Sequence, residues 1–166
     1  MTLFQVCSTF KTYNDYITPP KVWDMVIPYL PQDKIIWMPF YCEGSCGEYL
    51  TKKGFRVHHS PNEDFYEHDH GDICCDNPPY SFQHKQDIII RLKKLNKPFM
   101  LIIPTTSIQT KYFQKLHDEH TQLLIPSCKY NFIKKSEQSL EQTKNCPFYT
   151  LWICWRMNFS KDIIVI

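Results

Sequence analysis

Three short apolar runs in this chain each stop at proline. Lys34-Ile35-Ile36-Trp37-Met38 meets Pro39, Asp72 to Asp76 meets Asn77-Pro78-Pro79, and Pro98 to Ile103 meets Pro104. Proline has no amide hydrogen and a fixed φ, so a strand ladder cannot continue through it. The runs are also too apolar to leave one face in water. Short, unbroken apolar runs of this kind read as strands of a sheet covered on both faces.

Between these strands the period changes to that of helices. Val22, Trp23, Val26, Ile27 and Leu30 recur at helical spacing behind Thr18-Pro19-Pro20, with Thr18 as the expected N-cap and a proline in the first turn. Trp23 reads as core. Pro28 is expected to distort the end of this helix and Pro31 to stop it. Glu48 to Lys53 reads as a helix closed by Gly54, and Phe55 to His59 as the second strand; residues 60–71 form a polar loop. His84 to Leu95 is helical, with Ile88, Ile89, Leu92 and Leu95 on one face, and so is Tyr112 to His120. Gln122 to Ile125, Asn131 to Ile133, Phe148 to Trp155 and Ile163 to Ile166 read as strands, and residues 134–146 as a mobile polar loop. Strands alternating with helices predict an α/β chain built on a parallel sheet with helices on both faces. In such sheets ligands bind beyond the carboxyl ends of the strands. The turn after Met38 and the corner after Cys75 both fall there.

The length of 166 residues suits one domain over 1–166, and 43% hydrophobic with 15% aromatic residues supplies a core. The formal charge of +2 is weak for a dedicated nucleic-acid clamp, so binding of that kind would rest on local patches. Lys52, Lys53 and Arg56, then Arg91, Lys93, Lys94 and Lys97, then Lys134 and Lys135 are such clusters, read first as solvated faces. Eight cysteines without a signal peptide point to reduced thiols in cytosol or nucleus and against secretion, and no apolar run is long enough to cross a membrane. Cys42-x-x-x-Cys46 and Cys74-Cys75 match no pair of zinc knuckles, and neighbours in a strand face opposite ways. His58, His59, His68, His70 and His84 are further potential ligands, but buried thiols and loop histidines are the simpler reading, and no metal is expected.

The corner at Asn77-Pro78-Pro79-Tyr80 carries the chemistry. The prolines stiffen it and leave carbonyl acceptors free to face outward. The Asn77 side-chain oxygen is another acceptor, and Tyr80 offers a flat ring. Two acceptors beside an aromatic plate suit a planar ring bearing an exocyclic amino group: Asn77 and the Pro78 carbonyl each accept one N–H, and stacking on Tyr80 contributes ~1–3 kcal/mol for a nucleobase. Ordering two reactants is itself a large part of catalysis.

"DNPPYS" resembles the fourth motif of the S-adenosylmethionine-dependent amino methyltransferases of the NPPY type. The rest of the chain follows in the same order. "YITPPKVWDMVIPYLP" is similar to the N-terminal motif of DNA adenine methyltransferases, and "IIWMPFYCEGSCGEYLTKKGFRV" resembles their first motif. "EDFYE" resembles the stretch before the fourth motif, and "KPFMLIIPTTSI" the core strand and loop after it. "NFIKKSEQSLEQTKNCPFYTLWICW" is similar to a run in small phage and large-DNA-virus members. The resemblance covers residues 13–156 and implies a Rossmann-like methyltransferase sheet, mostly parallel with an antiparallel C-terminal strand, without a separate target-recognition domain.

The resemblance also implies residue roles. Asn77, Pro78, Pro79 and Tyr80 form the catalytic corner, with Asn77 also touching the cofactor, S-adenosylmethionine. Tyr16 and Thr18 line its carboxylate, Pro39, Phe40 and Gly44 belong to the first-motif turn, and Glu43 meets its ammonium. Asp64 accepts the adenine amino group, and Phe65 stacks on the adenine. The chain departs from the pattern at three points: Met38 replaces an acid, Gly44 and Gly47 are three apart, and the second strand ends in His58-His59-Ser60 where a ribose-binding acid normally stands. His59, Ser60 or Glu63 is left to fill that place. The implied reaction is methyl transfer to an exocyclic amine, foremost N6 of adenine in unpaired or flipped-out DNA or RNA, with sequence choice low or supplied by a partner subunit. A glutamine amide, a guanine amine, or a catalytically silent subunit are the alternatives. A virus-infected host cell is one setting the resemblance implies.

Overall fold

The computed structural model describes residues 16–79, 82–135, 140–142 and 148–166. Its centre is a seven-stranded sheet of β2 (Ile35–Trp37), β3 (Arg56–His58), β4 (Ile73–Asp76), β5 (Phe99–Pro104), β6 (Thr121–Ile125), β9 (Thr150–Trp155) and β10 (Ile163–Val165). The order across it is β10-β6-β9-β5-β4-β2-β3. β2 pairs parallel with β3 and β4, β4 with β5, and β6 with β10. β9 is wedged antiparallel between β5 and β6, in register from Phe99↔Trp155 to Pro104↔Thr150. The expected α/β sheet, mostly parallel with its antiparallel strand near the C-terminus, is present.

Helices cover both faces. On one, α1 (Pro20–Val26) and α2 (Ser45–Lys52) bury Val22, Trp23, Val26 and Leu50 against Ile36, Cys75 and Trp152. On the other, α3 (Phe82–Lys94) sets Ile88, Ile89 and Leu92 against Cys74, Phe99 and Leu101, flanked by Phe113 of α4 (Lys111–Leu116). Cys74 and Cys75 thus point to opposite faces, as strand alternation requires. Both are fully buried, and burial pushes both thiols well above their usual range. Trp23 is core, edge-on to Trp152 at 5.5 Å.

Several boundaries differ from expectation. Thr18 does not cap α1: Pro19 holds the N-cap position and no side-chain cap is made. The helix tightens into a 3-10 turn over Ile27–Tyr29, with Pro28 at its centre. α2 starts three residues before Glu48, because Gly44 at φ +87° turns the chain into it. α4 ends at Leu116 rather than His120, since His117 is extended and Asp118 takes the His120 amide on its own carboxylate. The loop expected over 134–146 is in part a hairpin: β7 (Ile133–Lys135) pairs with β8 (Leu140–Gln142) and with β1 (Tyr16–Ile17), all antiparallel. The rest of that loop lies outside the described residues. Among the described residues no helix is long and apolar enough to cross a membrane.

Candidate functional site

From β2 the chain runs to β3 on one side and then crosses back to β4 on the other, so β2 and β4 meet at a switch in strand order. Loops leaving the carboxyl ends of such a pair diverge and open a crevice. Here the crevice is a pocket holding about 370 Å3 of empty space, open mouth included, between the turn after Met38, the start of α2, β1 with the residue after it, and Asp76-Asn77.

The two loops are tied at its floor. Asp76 is buried at the end of β4, and its carboxyl oxygens accept the Phe40 amide at 2.7 Å and the Asn77 amide at 2.8 Å. Burial pushes this carboxyl up to about 8, against the pull of the two amides.

Three residues that line the pocket each carry a buried side-chain polar atom without a hydrogen-bond partner: Thr18 Oγ1, His59 Nδ1 and Asn77 Oδ1. Thr18 is 2% exposed and Asn77 7%. A buried polar atom left unpaired costs ~1–3 kcal/mol, so three of them on residues of one pocket wall suit that wall to a polar ligand. Glycines shape the same wall. A Cβ on Gly47 would lie 2.6 Å from the His59 ring, and one on Gly44 2.5 Å from the Tyr41 hydroxyl oxygen. The Tyr41 and His59 rings stack at 5.3 Å. The N-cap of α2, Gly44, supplies no side-chain cap, and Ser45, Cys46 and Gly47 of its first turn line the pocket, where a helix N-terminus favours negative charge. The Cys46 thiol is pushed up to about 12, chiefly by burial, which leaves it inert.

Of the residues expected at the site, Tyr16, Thr18, Phe40, Glu43, Gly44 and Asn77 all line this pocket. The Tyr16 ring is held edge-on by Phe148 at 5.7 Å, and Glu43 accepts a hydrogen bond from the Ser45 hydroxyl. Pro39 is half-buried in the turn, and Pro78 and Pro79 are buried behind Asn77; none of the three lines the cavity. Tyr80 lies outside the described residues.

Asp64 and Phe65 do not join the pocket. Phe65 is 5% exposed, stacked on Trp37 at 5.4 Å with the Arg91 guanidinium over its ring at 5.6 Å. It is a core residue on the α3 face, where burial of the ring outweighs keeping it open for a base. Asp64 caps its own turn, accepting the Tyr66 amide at 2.7 Å. The cluster on α3 also departs from expectation. Arg91 donates to the Phe65 and His68 carbonyls, Lys97 to those of His70 and Gly71, and Lys93 pairs with Asp118. These cations clamp loops rather than form a free basic face. Asp76 and Tyr41 were not singled out from sequence. The available signal for Asp76 was an acid at the end of an otherwise apolar strand.

No protein-family model matches the chain, and a search of curated proteins finds no match.

Proposed function

We propose that this chain is a methyltransferase that moves a methyl group from S-adenosylmethionine to an exocyclic amino group, foremost N6 of adenine in DNA or RNA. The observation that carries the reading is Asn77 Oδ1, buried and unpartnered in a pocket shared with the start of α2 at the β2/β4 switch point. The strand order, with one antiparallel strand wedged near the C-terminus, fits the Rossmann-like methyltransferase sheet that the sequence resemblance implies.

The residues present fit the cofactor. Thr18 Oγ1 and His59 Nδ1 are buried polar atoms without partners, Gly44 and Gly47 let the Tyr41 and His59 rings pack against the turn to form the wall, and the first turn of α2 lies at the pocket, where a helix N-terminus favours a carboxylate. In this reading Tyr16, Thr18 and the α2 amides hold the amino-acid end, and Glu43 its ammonium. His59 stands where an acid would otherwise grip the ribose. S-adenosylmethionine, when bound, supplies an electrophilic methyl group.

The protein's share of the chemistry is orientation. Asn77 Oδ1 and the Pro78 carbonyl accept the two amino hydrogens, which directs the nitrogen lone pair into the pocket. Pro78 and Pro79 fix φ on both sides, so little reorganisation is needed on binding. The Asp76 carboxyl, which accepts the Phe40 and Asn77 amides, holds the two loops in place around Asn77. No strong base is required, because the amine sheds its proton after it has been alkylated.

A second reading, a catalytically silent subunit, is favoured by Met38 in the place of an acid and by His58-His59 at the end of β3. One experiment separates the two. DNA and RNA are incubated with the protein and labelled S-adenosylmethionine, and their nucleosides are analysed by mass spectrometry, with a purified protein acceptor in parallel. N6-methyladenine supports the proposal. Label in the protein acceptor or on guanine redirects the acceptor. S-adenosylhomocysteine binding without transfer to any acceptor supports the silent subunit.

A further inference from the structure

On the side of β3 turned away from the pocket, three side chains converge. His58 ends the strand, and Glu63 and His70 come from the loop that follows. Nε2 of His58 lies 2.8 Å from Oε2 of Glu63, and Nε2 of His70 lies 3.2 Å from the same oxygen. The two imidazoles stack with centroids 3.9 Å apart, and the three ligand atoms all lie within 4.8 Å of one another. Nε2 of His70 is buried and makes no hydrogen bond, so its contact with Glu63 does not satisfy it.

The group sits on a braced frame. Lys97 Nζ donates to the carbonyls of His70 at 3.0 Å and Gly71 at 2.7 Å, and Arg91 holds the His68 carbonyl at 3.0 Å. Asp72 accepts the Ile35 amide at 2.8 Å. The loop is therefore pinned to α3 and β2 on either side of His70, while His58 is fixed by its place in the sheet. Ligands held on such a frame lose little entropy on binding an ion.

We propose that His58, Glu63 and His70 form a binding site for a zinc-type divalent transition-metal ion, with a remaining coordination position open to water. Two imidazole nitrogens and one carboxylate oxygen suit zinc and its neighbours and disfavour magnesium and calcium, which take oxygen ligands. Bonds of about 2.0–2.1 Å in tetrahedral geometry place ligand atoms ~3.3 Å apart, close to the 3.2 Å between Glu63 and His70; the His58–Glu63 pair has to open from 2.8 Å and the stacked rings have to splay, because each Nε2 lone pair lies in its ring plane. Both imidazoles bind as neutral Nε2 donors with the ring proton on Nδ1. The ion clasps the end of β3 to loop 59–72. Because His59 follows His58 and points the other way into the pocket wall, occupancy stiffens that wall. The site stands apart from the methyltransferase reading and does not depend on it.

The test uses the full chain, freed of metal with chelator and alkylated at its accessible cysteines, then titrated with Co2+. The expected result is one Co2+ per chain with the d–d absorption of a low-coordinate ion, no thiolate charge-transfer band, and displacement by Zn2+. His58→Ala and His70→Ala are expected to weaken binding by at least ~100-fold, since loss of an outer-shell partner alone costs 10–100-fold. Glu63→Gln, which keeps shape while removing charge, is expected to weaken it by ~10-fold or more. Circular dichroism and melting in chelator establish that each variant folds, and the wild-type spectrum is decisive without them. Absence of Co2+ binding by folded wild type, a thiolate band, or binding unchanged in folded variants overturns the proposal.

Discussion

The buried carboxyl of Asp76 accepts the backbone amide of Phe40 at 2.7 Å, joining the loops that leave β4 and β2. Asp76 is raised from an ordinary 3.8 to about 8, with burial the leading cause. Between those values the native state holds a proton that the unfolded chain has released. The contribution is fully present below pH 4 and lost as pH rises toward 8. Urea unfolding from pH 5 to 8 should show the midpoint falling as pH rises, with the slope m unchanged. Asp76→Asn should flatten this dependence. It should also lower stability by about 1–3 kcal/mol, because an amide cannot accept from both the Phe40 and Asn77 amides. An Asp76→Asn dependence identical to wild type would exclude Asp76 as its source.

Asn77→Ala removes the buried, unpartnered acceptor of a residue that lines the pocket. Methyl transfer should fall by about 10²–10³-fold, the range for losing one preorganised hydrogen-bonding group in an active site. Calorimetric affinity for S-adenosylhomocysteine should change by less than about 10-fold. Loss of both together would assign Asn77 to cofactor binding alone.

Gly44 and Gly47 separate two kinds of crowding. Gly44→Ala places a Cβ at φ +87° and against Tyr41, so both strain and overlap oppose it. It should cost about 1–3 kcal/mol in thermal or urea unfolding. Gly47→Ala drives the His59 ring out of the pocket wall. It should reduce S-adenosylhomocysteine affinity by at least about 10-fold with a smaller loss of stability.

Asp118 gathers Lys93 Nζ at 2.6 Å, Trp155 Nε1 at 3.0 Å and the His120 amide at 3.0 Å. Burial alone would raise this carboxyl, but the Lys93 and Trp155 bonds outweigh it and hold it at about 2, below its usual 3.8. Its contribution is present above pH 4 and lost as pH falls toward 2. Asp118→Ala should destabilise the chain by about 1–3 kcal/mol at neutral pH and make acid unfolding less steep in that window, read by tryptophan fluorescence.

What the sequence by itself determined is local. Proline after Met38 and the pair 78–79 dictated where β2 and β4 stop, because a residue without an amide hydrogen cannot extend a ladder. Pro104, expected to stop β5 after Ile103, is instead its last paired residue, opposite Thr150, because a proline can still offer its carbonyl there. Apolar runs and helical spacing dictated which segments are covered and on which faces, including the opposed side chains of Cys74 and Cys75. The rule that ligand crevices open where parallel strands end located the turn after Met38 and the corner after Cys75, while Tyr16 and Thr18 were expected only from the family resemblance; all of these line one pocket.

Partnership across the chain was decided only by tertiary structure. The strand order brings Phe40 to Asp76 and His58 to His70, and it turns Phe65 inward beneath Arg91. Lys97 reads as a solvated charge until the fold sets two carbonyls within its reach. Hydrophobic period records whether a side chain is buried, but not which distant residue is buried beside it. That choice depends on which strands become neighbours, and so does every shifted carboxyl, loop clamp and converging ligand described above.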